Sequence, residues 1–250
     1  MLFSASRRTD IPTYYSEWLC NRLEAGNVCV RHDARRVTRY VFSREAVDCL
    51  VLWTKNPLPL LDRLALLRGW PCVFQFTLTG YGRDVEPGLP DKLQLVEAMK
   101  RLSEAFGSER VIWRYDPILF TETYTPEYHL KAFSQIADAL KGYTHKCVIS
   151  FVDIYAKNKK QMEELHAYEL KETDLMDFAG KLSEMAKKNG MTVASCAEHT
   201  DLTECGIAPG CCIEKALVEE LAGYPIKAAK DKNQRPACGC VESVEIGTYD

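Results

Sequence analysis

No run in this sequence approaches the roughly 20 consecutive apolar residues that a helix needs to cross a bilayer. The opening MLFSASRRTD carries two arginines and an aspartate, which leaves no space for the apolar core of an export signal. The expected location is therefore the cytoplasm, with no membrane partner. An excess of one charge sign is missing as well. Lys and Arg total 32 against 35 Asp and Glu, a formal net charge of −3, which excludes a surface built throughout for nucleic acid. The five histidines (His32, His129, His145, His166, His199) show no paired spacing and no HExxH pattern. Low-complexity tracts, linkers and internal repeats are absent, so one domain over 1–250 is expected.

Cysteine is what the sequence has in excess, with 11 residues. Disulfides would require an oxidising compartment, and no export signal is visible. Cys20, Cys29, Cys49, Cys72 and Cys147 are scattered singly, mostly in apolar runs where a thiol behaves as a small hydrophobe. The other six, Cys196, Cys205, Cys211, Cys212, Cys238 and Cys240, crowd the C-terminal portion from 191 to 250. Short-spaced thiols on loops can reach one metal together. Cys238-Gly239-Cys240 is such a pair, Cys211-Cys212 follows the Pro209-Gly210 turn, and Cys196 ends a strand. One ligand from each of two loops plus the pair makes four sulfurs, enough for a [4Fe–4S] cubane or a tetrahedral zinc. A set of merely buried thiols is the alternative.

Short apolar runs alternate with helical patterns along the chain. The strands expected are 2–6, 49–54, 72–79, 110–115, 146–152, 191–197 and 241–249. Most are continuously apolar, as parallel strands covered on both faces are. Helical stretches begin at Asp10, Leu58, Pro90, Pro126 and Thr173, and glycines close several of them. Residues 27–42 read as a β-hairpin with a polar turn, inserted after the first helix. The series implies an α/β fold: a partial or closed parallel β/α barrel of the TIM kind, with a doubly wound open sheet as the runner-up.

Chemistry in such folds collects at the carboxyl ends of the strands. SRRTD, WTKNP, QFTLTGYG, RYDP, FVDIY and SCAEHTD fall there. They supply Arg7, Arg8, Asp10, Lys55, Gln75 and Arg114 as candidate cofactor- or substrate-binding residues. Asp116, Asp153 and Glu198 are the candidate acids and bases. Mixed charges around one mouth suit a small polar substrate or cofactor. Mutual salt bridging is the competing account of the same residues, and Thr9 or Asp10 can equally be a helix cap.

The stretches SASRRTDIP (4–12), VLWTKNP (51–57), FQFTLTGYG (74–82), RVIWRYDPIL (110–119), KCVISFVDIY (146–155), CAEHTDL (196–202), CCIE (211–214) and KDKNQRPACGCVESVEIGTYD (230–250) resemble the family called domain of unknown function 1848. In that family the chain continues into a CxxxCxYCYA-like segment, which resembles the three-cysteine motif holding the [4Fe–4S] cluster of radical S-adenosylmethionine (SAM) enzymes. The resemblance implies a radical-SAM-like partial barrel, circularly permuted so that its cysteine-loop strand, SVEIGTY, comes last. This sequence contains no CxxxCxxC, so it is expected to be a fragment, with S-adenosylmethionine a cofactor of a full-length form. The resemblance also assigns Cys196, Cys212, Cys238 and Cys240 to a second metal site, an iron–sulfur cluster or zinc, and leaves Cys205 and Cys211 as extras.

A radical-SAM-like iron–sulfur enzyme of unknown substrate is the leading expectation. A nucleic-acid-binding or repair protein is the first rival, resting on the basic RHDARRVTRY (31–40). A cluster-free barrel enzyme with a structural zinc, using Asp116 and Asp153 as acid and base, is the second. The oligomeric state leaves no trace in the sequence.

Overall fold

The computed structural model describes residues 1–33, 35–153, 158–235 and 237–247. Its strands are β1 (Leu2–Ala5), β2 (Asn27–Arg31), β3 (Val37–Val41), β4 (Cys49–Thr54), β5 (Cys72–Thr77), β6 (Val111–Ile118), β7 (Lys146–Phe151), β8 (Thr192–Cys196), β9 (Ile207–Gly210) and β10 (Val244–Glu245). Its α-helices are α1 (Ile11–Tyr14), α2 (Ser16–Ala25), α3 (Leu58–Leu61), α4 (Leu64–Leu67), α5 (Lys92–Phe106), α6 (Pro126–Ala139), α7 (Lys159–Glu164), α8 (Glu172–Lys188) and α9 (Lys215–Ala222). Eight strands form one sheet in the order β10-β1-β4-β5-β6-β7-β8-β9, every neighbouring pair parallel. β2 and β3 make a separate antiparallel pair over the span expected to be a hairpin.

The closed-barrel expectation is corrected here, because the sheet stays open. Its last strands, β10 and β9, each pair on one side only. β10 is two residues long, and β9 carries Pro209, whose missing N–H is tolerated at a sheet edge. Residues 248–249 of the nine-residue strand expected at the C-terminus lie outside the described residues.

Alternation along each strand sorts its side chains between two buried layers. Phe3, Leu50, Leu52, Phe74, Phe76, Trp113, Tyr115 and Ile149 face the helical side. There they meet Leu19 and Leu23 of α2, Met99 and Leu102 of α5, Phe133 of α6, and Phe178 and Leu182 of α8. The intervening residues Leu2, Cys49, Val51, Val73, Ile112 and Val148 belong to a second cluster with Ile213, Val218, Ile226, Cys238, Cys240 and Val241. The C-terminal segment is thus the cover of the second face, an arrangement that a closed barrel, filled by its own strands, does not need.

Helix ends are fixed by ordinary capping. Asp10 accepts from the Thr13 amide at 2.9 Å, Asp91 from Leu93 at 2.8 Å, and Thr125 from Tyr128 at 3.2 Å. α6 also carries a fully buried histidine, His129. Its Nε2 lies 3.0 Å from the Leu119 carbonyl, which only accepts, so Nε2 is the protonated nitrogen. Nδ1 therefore accepts from the Tyr115 hydroxyl at 2.9 Å. Rings of Tyr81, Tyr115, Phe120, Tyr124, Tyr128 and Phe178 surround the imidazole.

Burial holds the His129 pKa below its usual value despite the Leu119 hydrogen bond. As pH falls below about 6.5, the unfolded imidazole takes up a proton while the folded one resists, so the unfolded state gains. This contribution to stability is expected to be complete above about pH 6.5 and to fade as pH drops toward the depressed folded value. His129→Gln should lower stability at about pH 8 by roughly 1–3 kcal/mol, from buried partners left unpaired, and flatten the acid-side slope. Urea midpoints measured across this range for both proteins check it.

Candidate functional site

Cys196 closes β8, Cys212 follows β9, and Cys238 and Cys240 lie in the segment that covers the second face. The fold brings these four together. The sulfurs of Cys196 and Cys212 are 3.4 Å apart. Cys240 Sγ accepts from the backbone amides of Cys212 at 3.1 Å and Ile213 at 3.4 Å. Cys240 also exchanges side-chain hydrogen bonds with Cys212 and Cys238. Sharing the Cys212 thiol proton pulls the Cys240 pKa to about 5 and the Cys196 pKa to about 6, against the cost of burial. Cys212, which donates, is pushed well up, and burial pushes Cys238 to about 11.

Cys205 is excluded from this group: its thiol packs on α8, 3.3 Å from the Met176 carbonyl. Cys211 sits against Gly239. Among the described residues, no group of three or more His, Cys, Asp or Glu side chains stands in a geometry that would hold a metal ion. The four sulfurs form a hydrogen-bonded chain, with the amide N–H···S bonds and apolar walls that thiolate ligands use.

Arg114 on β6 joins this cluster to the sheet. Its Nη1 donates to Cys212 Sγ at 2.9 Å and to Gln75 Oε1 at 3.3 Å. Nε donates to Asp116 Oδ1 at 3.0 Å, and Nη2 pairs with the other Asp116 oxygen. Gln75 on β5 donates onward to the Cys212 carbonyl at 2.7 Å. The Arg114 guanidinium lies 5.4 Å from the centre of the Trp53 ring, and that of Arg7 lies 5.2 Å from it. Trp53 Nε1 donates to Ser4 Oγ, which donates to Glu245, both at 3.0 Å.

The remaining strand-end residues fall into separate groups. The Arg7 amide donates to Glu245, and those of Arg8 and Thr9 donate to Ser6 Oγ at 3.0 Å. The SRRTD loop therefore spends these amides internally and holds no open anion nest. Asp10, expected as a binding residue, is a cap whose second oxygen accepts from the Lys55 amide at 2.7 Å and from Thr54 Oγ1. Lys55 reaches the buried Glu86, which also takes Lys92 and Thr79. Burial pushes the Glu86 carboxyl up, but the two lysines hold it below the usual carboxylate value.

Asp116 and Asp153 are not partners of each other. Asp116 belongs to Arg114, and Asp153 pairs with Arg235 at 3.2 Å. Glu198 accepts from the Phe151 amide at 3.0 Å, and burial with the nearby Asp153 raises its pKa. Ala197, between Cys196 and Glu198, has φ of 55°, a left-handed conformation unusual for alanine, so the backbone turns sharply between the thiol and the carboxylate. Asp153, Glu198 and His199 line a small cavity of about 190 Å³. A larger one, about 680 Å³, runs beside β1 and β10, with Arg7, Arg8, Asp231, Asn233, Gln234 and Glu245 in its wall.

Trp53, Ser4, Glu245 and Asp231 are functional-region residues that strand-end reasoning passed over. Trp53 stood in the WTKNP segment, but its role in stacking two arginines needs the register of β4 beside β5, which no local pattern encodes. Glu245 was legible only as an inward charge in the final strand.

The fold and site together define a parallel α/β protein with a cysteine cluster on the face of its sheet opposite α2, α5, α6 and α8. The sequence profile of DUF1848, a domain of unknown function, matches residues 2–250, and the chain belongs to this family. No curated protein gives a significant match. Among solved structures, RipC from Yersinia pestis is similar at 11% identity over 70% of this chain and 89% of its own, with a TM-score of 0.33. A putative alpha-L-fucosidase from Bacteroides thetaiotaomicron is similar at 13% identity over 89% and 82%, with a TM-score of 0.34. No helix among the described residues is long and apolar enough to cross a membrane.

Gly210 ends β9 two residues before Cys212. A Cβ there would lie 2.8 Å from Ala194 Cβ and 3.0 Å from the Ser195 carbonyl. Gly210→Ala should push β9 from β8, destabilise by about 1–3 kcal/mol and displace Cys212. Adding Ala194→Gly removes one of the two clashes and should recover part of the loss, as thermal unfolding of both proteins will read.

Proposed function

We propose that this chain is a radical-SAM-like metalloprotein in which Cys196, Cys212, Cys238 and Cys240 hold a metal centre. The observation that carries this reading is the convergence of four cysteines from three separate segments, with two amide N–H···S bonds onto Cys240. What sets these four apart from the scattered buried thiols is their approach to one another, sulfur to sulfur. The radical-SAM part rests on the resemblance of the family's cysteine-loop strand. The chain contains no CxxxCxxC, so its own residues hold no SAM-cleaving cluster, and no radical step is assigned to them.

Two occupants are compatible with four thiolates. Zinc at about 2.3 Å from each sulfur sets neighbouring sulfurs about 3.8 Å apart, close to the Cys196–Cys212 separation. A cubane puts a different iron under each thiolate and spreads the sulfurs further. The spacing supports a single tetrahedral ion, and an iron–sulfur cluster is the second reading. A bound ion would cross-link β8, the β9 loop and the C-terminal segment, and a cluster would add electron transfer.

The residues around the centre have simpler tasks. Gln75 and Arg114 orient the Cys212 loop through its carbonyl and its sulfur. Arg7 and Arg8, in the wall of the larger cavity, offer guanidinium groups to an anionic part of a small substrate or cofactor. Asp153 and Glu198 serve the smaller cavity at the ends of β7 and β8.

Anaerobic purification followed by zinc, iron and sulfide analysis tests the reading. About one zinc per chain is expected, lost in Cys212→Ser and Cys240→Ser and retained in Cys205→Ser. Iron and sulfide in equal amounts, with an EPR signal on reduction, would select the cluster. Metal content unchanged in both Cys212→Ser and Cys240→Ser ends the proposal.

A further inference from the structure

The DUF1848 chain carries a buried guanidinium whose position is explained only in part by its carboxylate. Arg114 and Asp116 are each 7% exposed. Resting on the four-cysteine reading, we propose that Arg114 is a positioning residue for the metal centre, and that its hydrogen bond to the Cys212 sulfur sets how tightly the metal is held.

The geometry leaves the guanidinium little freedom. Asp116 takes Nε and Nη2 as a two-point fork, which fixes both the plane and the direction of the group. The fork leaves Nη1 aimed at Cys212 Sγ, 2.9 Å away, with Gln75 Oε1 at 3.3 Å as its other acceptor. Gln75 binds the Cys212 carbonyl through its own amide nitrogen, so sulfur and backbone of one cysteine are held by two neighbouring strands. The Trp53 ring contacts the same guanidinium.

A pairing of Arg114 with Asp116 alone would need no sulfur in reach. Four thiolates around a dication leave a net charge of two minus, buried against apolar residues of the second face. A fixed guanidinium offsets part of that charge. Its N–H also draws electron density from one sulfur, as outer-shell donors to metal ligands do. Lysine cannot do both, because a point ammonium lacks the fork that serves Asp116 and Cys212 at once.

The test uses the 250-residue chain with cobalt(II) and zinc(II) as probes, in wild type, Arg114→Lys, Arg114→Met and Asp116→Asn. Circular dichroism and thermal unfolding establish which variants fold, and Arg114→Lys and Asp116→Asn keep the test alive should Arg114→Met fail. Zinc release to a chromogenic chelator is expected to quicken by roughly 10–100-fold in the Arg114 variants, with Asp116→Asn intermediate. The cobalt–thiolate charge-transfer band should move to lower energy in the Arg114 variants, because a sulfur without its hydrogen bond is the better electron donor. A purely structural role for Arg114 would leave that band where it is. Unchanged release rates and an unchanged band in folded Arg114→Lys and Asp116→Asn overturn the proposal. Failure of the wild type to take up either metal overturns the four-cysteine reading instead, and this proposal with it.

Discussion

A guanidinium cannot be left bare in a protein interior, and much of the second face of this sheet follows from covering Arg114. Removing one partner of a buried ion pair typically costs about 3–5 kcal/mol, so the surrounding groups are constrained to stay. Asp116 comes from two residues along the same strand, Gln75 from the next strand, and the ring of Trp53 from the one beyond. The last acceptor is a sulfur from the loop after β9. Three strands and the C-terminal segment thereby converge on one charge, and the segment docks through a polar contact as well as through Ile213, Val218 and Val241.

That constraint explains why the two faces of one sheet are built so differently. The helical face is mostly apolar and aromatic, with His129 and the Tyr115 hydroxyl satisfying each other, and its side chains are covered by neighbouring helices. The other face mixes valines with Gln75, Arg114 and Asp116, and only a chain with backbone amides, carbonyls and thiols to offer can seal it. The remaining charges are separated into local groups, Lys55 and Lys92 on Glu86, Arg235 on Asp153, and Arg7 near Asp231. Each group is a local ion pair or triad. The ring of charges around one mouth, as read from the strand ends, is therefore several short circuits, with Arg7 and Arg114 linked through Trp53.

Six strands, β1 and β4 to β8, were legible because each is an apolar run bounded by polar strand-end residues, and the pair at 27–41 because its turn is polar. β9 was not, since IAPG has neither a long apolar run nor β-branched residues beyond Ile207, and its proline belongs to an edge. An open sheet stood only as the runner-up reading, because openness depends on what lies against the second face, which is a long-range matter. Asp10 and Glu86 illustrate the same limit at single residues. A capping aspartate and a binding aspartate look alike in sequence, and only the amides within reach of Asp10 decide between them.

The selection of four cysteines out of six has a physical basis that spacing alone does not supply. Cys205 precedes β9 and turns toward α8, on the helical side of the sheet, so the sheet itself stands between it and the cluster. Cys211 and Cys212 are adjacent, yet only Cys212 is drawn inward, because Gln75 holds its carbonyl and Arg114 its sulfur. Gly239 allows Cys238 and Cys240 to approach Cys212 while Cys211 lies over the glycine, where a side chain would have met its Cβ at 3.3 Å. A loop tied at both carbonyl and sulfur resists being pushed outward. The parallel sheet supplies the rigid side of the cysteine cluster, and the C-terminal segment supplies the thiols that close it.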